Sequence, residues 1–229
     1  MKMTTAFSKS LAFAAICLLL FSSCDKEEIR VEKMIYFNDF EEESFDGLSG
    51  VFISEYFGTR VMGNYNNSGF NIGLNDLQKH DYLSISFSLY IHDSWDGNSN
   101  ATSSPGMDHD AWILEFDRDK KVKSEDKIRF ETTFSNGLCL PGFCYDQSYP
   151  REFPFPNDSR EGAETVQLPG LCLWSDTMNG TALYKFTKVF PHQDESVKIS
   201  FYDRLVQPNS SAQRCDESWS LDNLSISIF

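Results

Sequence analysis

Residues 81–93 read DYLSISFSLYIHD. Leu83, Ile85, Phe87, Leu89 and Ile91 alternate with Tyr82, Ser84, Ser86, Ser88 and Tyr90. A period of two over that length marks a strand with one buried and one polar face. Similar runs lie at 34–40, 51–56, 69–74, 111–117, 127–134, 181–190, 196–203 and 219–228, with turn residues between most of them. No long segment of 3.6-residue period follows the N-terminal stretch. Many short strands and an aromatic content of 14% predict an all-β fold, an antiparallel β-sandwich or jelly roll. Two stretches interrupt the pattern. Residues 94–109 are rich in turn formers, and 136–180 hold Pro141, Pro150, Pro154, Pro156, Pro169 and three cysteines. Loops this long are functional or stapled, and we place both on one rim of the sandwich.

Upstream of the strands, Lys2 and Lys9 precede the apolar run Leu11–Phe21, which ends in Ser22-Ser23-Cys24. This is the layout of a secretory signal, and its apolar part falls short of the ~20 residues that span a bilayer. Ser22-Ser23-Cys24 resembles a lipobox, with Phe21 where leucine is usual. The resemblance implies cleavage after residue 23 and acylation (diacylglycerol and palmitate) of Cys24. Several chains give stable attachment to a membrane. The acidic run Asp25-Lys26-Glu27-Glu28 resembles the export signal of Bacteroidota surface lipoproteins, which implies an outer-membrane, surface-exposed site. The expected organisation is signal peptide 1–23, acylated tether 24–33 and a sandwich domain over 34–229.

The signal holds two of the 20 Lys and Arg and none of the 34 Asp and Glu, so the remainder carries a net charge of −16. Such a surface repels nucleic acid and anionic headgroups and suits cations or neutral ligands such as glycans. Of six cysteines, Cys17 leaves with the signal and Cys24 is the anchor. Cys139, Cys144, Cys172 and Cys215 remain, an even number that in an exported chain predicts two disulfides. Local pairing, Cys139 with Cys144 and Cys172 with Cys215, is the expectation; a Cys-only metal site is the alternative, without the C-x-x-C knuckles of zinc ribbons.

LSISFSLYIHDSWDGN (83–98), DAWILEFD (110–117), IRFETTFSN (128–136), LYKFTKVFPH (183–192), VKISFYD (197–203) and DESWSLDNLSISI (216–228) occur in that order. The succession resembles a bacterial jelly-roll, concanavalin-like domain of extracellular proteins, over roughly 83–228. The resemblance implies a role like that of carbohydrate-binding modules. The cysteine-bearing insertions at 138–145 and 171–173 depart from the pattern.

Two carboxylate groups could carry chemistry. Ile35, Phe37, Asp39 and Glu41 alternate in the first strand, and Asp222 alternates with Leu224, Ile226 and Ile228 in the last. First and last strands of a jelly roll commonly lie side by side. A structural Ca²⁺ held by Asp39, Glu41 and Asp222 is therefore expected, since buried carboxylates need a partner and calcium accepts several oxygens. The competing reading is that they cap turns or stay solvated. The second group is Asp93, Trp95 and Asp96, with Asp110 and Trp112 at the facing end of a possible hairpin, and Glu217 and Trp219 of similar make-up. Exposed indoles beside acids would stack on sugars and bind their hydroxyls. The alternative is that the indoles pack and the acids fix turns.

Glu115, Asp117 and Asp119 faintly resemble the catalytic strand of laminarinase-like glycosidases, whose retaining members need two carboxyls ~5–5.5 Å apart. Lys120 and Lys121 follow at once, and a solvated strand end is the favoured reading. No other hydrolase or nucleotide-binding motif is present. The expected function is non-enzymatic: a lipoprotein binding module for a glycan or an envelope partner. A structural or adhesive surface subunit is the alternative, and a glycoside hydrolase is third.

Overall fold

A computed structural model of the chain describes residues 31–98, 109–117, 128–136, 144–172, 174–206 and 211–229. The signal segment, Cys24 and Cys139 lie outside them. The unit over Glu32–Phe229 contains the strands β1 (Lys33–Asn38), β2 (Leu48–Ser49), β3 (Ile53–Tyr56), β4 (Thr59–Tyr65), β5 (Gly69–Leu74), β6 (Tyr82–Asp93), β7 (Ala111–Phe116) and β8 (Arg129–Thr132). Then follow β9 (Thr165–Pro169), β10 (Met178–Pro191), β11 (Val197–Arg204), a single helical turn α1 (Gln213–Asp216) and β12 (Glu217–Ile228).

The strands form two antiparallel sheets. The larger has the order β3-β4-β12-β6-β10-β9, with β1 also paired to β12; the smaller has the order β2-β5-β11-β7-β8. The alternation in 81–93 places β6 at the centre of the larger sheet. Its inward residues Leu83, Ile85, Phe87, Leu89 and Ile91 are at most 3% exposed. They meet Trp112, Leu114, Phe70, Ile72, Ile199 and Phe201 from the smaller sheet. Rings interdigitate across the gap: Phe87 lies 5.7 Å from Trp112, and Trp112 lies edge-on to Trp219 at 5.9 Å. Each such side chain contributes ~1.5–3 kcal/mol on burial. First and last strands do pair, β1 antiparallel to β12.

The structure departs from the sequence reading in four places. The short β2, β4 (TRVMGNY) and β9 lie outside the expected runs. In β4, Gly63 at φ +151° sits at an irregularity opposite Ser220, so its alternation is broken. The expected β6–β7 hairpin does not form: β6 pairs with β10 and β12, and β7 with β11 and β8. The chain instead crosses from one sheet to the other at the rim. Ile35, Phe37, Asp39 and Glu41 do not form one inward row, because the register shifts between Met34 and Tyr36 and both Ile35 and Tyr36 pack against the core. Phe37 is 54% exposed, and the residue that enters the core is Phe40. Finally, Asp222 does not share a face with Leu224. Asn223, at φ +54°, is an extra residue between Asp222, opposite Ser88, and Ser225, opposite Ser86. This bulge advances the alternation by one, so Leu221 and Leu224 both point inward while Asp222 points outward.

Candidate functional site

The indoles expected on the rim belong to the core. Trp95, Trp112 and Trp219 are each 0% exposed, so none can stack on a sugar, and that reading is corrected. Trp95 donates its indole N–H to Ser218 O at 2.9 Å. Asp93 is a loop clamp: its carboxylate accepts the amides of Leu171, Cys172 and Trp174. The loop it holds carries Cys172, which is disulfide-bonded to Cys215 as expected. Cys144 is also in a disulfide.

Three acids of the same group do converge. Asp96, Asp110 and Glu217 have ligand oxygens within 4.8 Å of one another. Glu217 opens β12 on the inward face it shares with Trp219. Asp110 immediately precedes β7 in the smaller sheet, and Asp96 follows β6. Ser94 pins the last segment by donating its amide and hydroxyl to Asp216 O, and Trp95 O accepts the amide of Asn136. One Asp110 oxygen accepts the Val206 amide at 2.8 Å. Burial pushes the Asp110 and Glu217 carboxyls far up, and their mutual repulsion, with that of Asp96, adds to it.

Asp39, Glu41 and Asp222 lie near one another at a different place, on the outer side of the larger sheet. Burial raises the Asp222 carboxyl to about 6, with Glu41 and Asp39 raising it further and Lys185 opposing. Several of their oxygens are engaged within the protein. Glu41 accepts from the Thr59 hydroxyl and the Arg60 amide, and Asp222 accepts from the amide and side chain of Asn223. Glu115, buried in β7, accepts the Tyr202 hydroxyl at 2.5 Å. Asp117 lies past the strand end at φ +45°, which breaks the shared face required of a catalytic pair, and Asp119 is outside the described residues.

The sequence reading did not single out the outer face of the larger sheet. Strand register aligns four rows there. Met34, Ser227, Ser84 and Val189 form one, and Phe37, Ser225, Ser86 and Thr187 the next. Asp222, Ser88 and Lys185 follow, then Ser220, Tyr90 and Leu183. The two central strands thus carry small hydroxyl side chains. Taller ones stand on the flanks: Met34 at 59%, Phe37 at 54% and Val189 at 51% exposure. With strands ~4.8 Å apart, the flanking strands β1 and β10 are ~14 Å apart. The result is a shallow trough with serines on its floor, of which Ser84, Ser88, Ser220 and Ser227 are buried and Ser86 and Ser225 partly exposed. Its deep end is closed by Tyr56, whose ring packs on Tyr90 and His92. The signal in the sequence was serine at three consecutive outward positions of β6.

The chain matches no known family profile and no curated protein. Several solved structures are similar to it in chain path. One is the K2 cleaved adhesin domain of Lys-gingipain, at 11% identity and TM-score 0.38, covering 87% of this chain and 99% of that one. Another is a family 35 carbohydrate-binding module from Clostridium thermocellum, at 7% identity and TM-score 0.31, covering 86% and 98%. A third is the CBM22-1–GH10 part of Clostridium thermocellum endo-1,4-beta-D-xylanase 10B complexed with xylohexaose. It has 10% identity and TM-score 0.34, and covers 87% of this chain. The chain spans 29% of the xylanase and 17% of a GH115 glucuronidase that is also similar.

Proposed function

We propose that the domain is a non-catalytic binding module held on a cell envelope by acylated Cys24, and that it binds a neutral glycan chain along the serine-floored trough. The observation that carries this reading is the pair of rows Phe37–Ser225–Ser86–Thr187 and Met34–Ser227–Ser84–Val189. The partly exposed hydroxyls of Ser86, Ser225 and Thr187 donate to and accept from sugar hydroxyls, and the exposed Phe37 ring offers an apolar face for a pyranose. Lys185, exposed at one end, supplies a charged hydrogen-bond donor. A net charge of −16 disfavours polyanionic ligands. A Ca²⁺ ion at Asp39, Glu41 and Asp222 belongs to the same proposal, as a brace at the end of the trough.

The test is a glycan-array screen followed by affinity electrophoresis, with parent and Phe37→Ala. The parent should be retarded by at least one neutral polysaccharide, and the variant should lose that retardation without losing its melting temperature. No retardation by any glycan, or equal retardation of the variant, rejects the reading. The exposed apolar flanks Met34, Phe37 and Val189 also fit an envelope protein partner or a structural, adhesive subunit. Concentration-dependent self-association abolished by Phe37→Ala would favour that second reading.

A further inference from the structure

We infer that Asp96, Asp110 and Glu217 form a calcium site that clasps the two sheets together at the rim. This site is separate from Asp39, Glu41 and Asp222 and uses none of the trough residues. Asp110 is 0% and Glu217 3% exposed, yet one oxygen of each, Asp110 Oδ2 and Glu217 Oε2, has no hydrogen-bond partner among the described residues. An uncompensated buried carboxylate is expensive: it must be protonated, paired or bound to a cation. Among the described residues, no basic side chain does the pairing. The charges acting on Glu217 are the carboxylates of Asp110, Asp96, Asp216 and Asp203.

The spacing fits an ion. Two oxygens bound to one Ca²⁺ at ~2.3–2.6 Å can be at most ~4.6–5.2 Å apart, and these three groups offer oxygens all within 4.8 Å. The donors are all oxygen, which selects a hard cation over zinc or copper. Three carboxylates can supply up to six oxygens in irregular geometry, which suits calcium better than octahedral magnesium. Asp96 is the least buried of the three and gives a route in. Because Glu217 opens a strand of one sheet and Asp110 precedes a strand of the other, the ion would bridge both layers where the chain crosses between them.

The experiment uses the full-length protein in detergent, stripped with EGTA and titrated with Ca²⁺ by calorimetry. Tb³⁺ luminescence excited through tryptophan serves as a second readout, since Trp95, Trp112 and Trp219 each lie within two residues of a ligand. Binding with Kd at or below ~1 mM is expected, with a rise in melting temperature. Glu217→Gln and Asp110→Asn should weaken it by about tenfold or more. Asp222→Asn should leave the tryptophan-sensitised signal in place. If the rim carboxyls merely share protons, the stripped parent binds no Ca²⁺ at ~10 mM and shows no sensitised signal, and the inference fails. It also fails if both rim variants bind like the parent, or if Asp222→Asn alone abolishes the signal. Should a variant not fold, the parent titration and the Asp222→Asn luminescence still decide.

Discussion

Replacing Asn136 by alanine should destabilise the rim by about 3–5 kcal/mol. Asn136 is 0% exposed. Its side-chain amide donates to three backbone carbonyls, Asp93 O at 2.8 Å, Gly180 O at 3.0 Å and Ile91 O at 3.2 Å. Its Oδ1 accepts Nε of Arg160 at 3.0 Å. One side chain therefore ties the end of β6, the start of β10 and the proline-rich segment together. Alanine removes at least two good amide hydrogen bonds to buried carbonyls and orphans a guanidinium N–H. Each buried group left unsatisfied costs ~1–3 kcal/mol, which sums to the stated range after partial relaxation. For a domain of this size 1 kcal/mol shifts Tm by roughly 2–4 °C, so the expected fall is roughly 10 °C by circular dichroism or calorimetry. Asn136→Asp should be worse still, because it sets an acceptor against three acceptors. A fall of under roughly 3 °C in Asn136→Ala, or a gain from Asn136→Asp, would refute the assignment of Asn136 as the rim's tie.

Four further outcomes follow from particular groups. Burial holds the His92 imidazole down at about 3, against 6.5 in the unfolded chain; its nitrogens lie 2.9 Å from Thr181 Oγ1 and 3.0 Å from Ser220 Oγ. A depressed folded pKa means that stability is full above pH 6.5 and is lost as pH falls from there toward 3, by up to ~5 kcal/mol at 1.36 kcal/mol per unit. His92→Asn should flatten that acid limb in a series of melts against pH. The Cys172–Cys215 disulfide closes a loop over a separation of 43 residues, so Cys215→Ser should cost about 4 kcal/mol by loop entropy, read by denaturant unfolding; no change in midpoint would contradict it. Asp222→Asn, with and without EDTA, tests the ion at the trough end: an EDTA-induced drop in Tm that is the same size in parent and variant removes that ion from the proposal. Cys24→Ala should release the protein from the membrane fraction and abolish labelling with palmitate, and a variant that stays labelled would end the anchor reading.

Local pattern made much of the fold legible. Leu83 to Ile91 on alternate positions call for a strand with one face covered by a second layer, and the structure places β6 inside the larger sheet. The Cys172–Cys215 disulfide agrees with the local pairing expected of the four cysteines, an expectation that rested on reading the chain as exported. The indoles were not. A tryptophan beside an aspartate reads alike whether its ring faces a sugar or the core, and exposure depends on which layer covers it. The trough was hidden for the same reason: Ser84, Ser86 and Ser88 announce a polar face, but only register sets Phe37 and Val189 as its walls.

The carboxylates divide along the same line. The sequence singled out Asp96 and Asp110 as acids at strand ends and Glu217 as part of a segment of similar make-up. Their convergence depends on a chain that leaves β6 and enters the opposite sheet, which no local period encodes. Asp222 went the other way: strict alternation put it with Leu224, and one residue in a left-handed conformation, Asn223, turned it outward. Side-chain type is local information, so the sequence states it outright. Which face a side chain occupies and what it meets there depend on bulges, crossovers and the covering layer, so only the tertiary structure decides them.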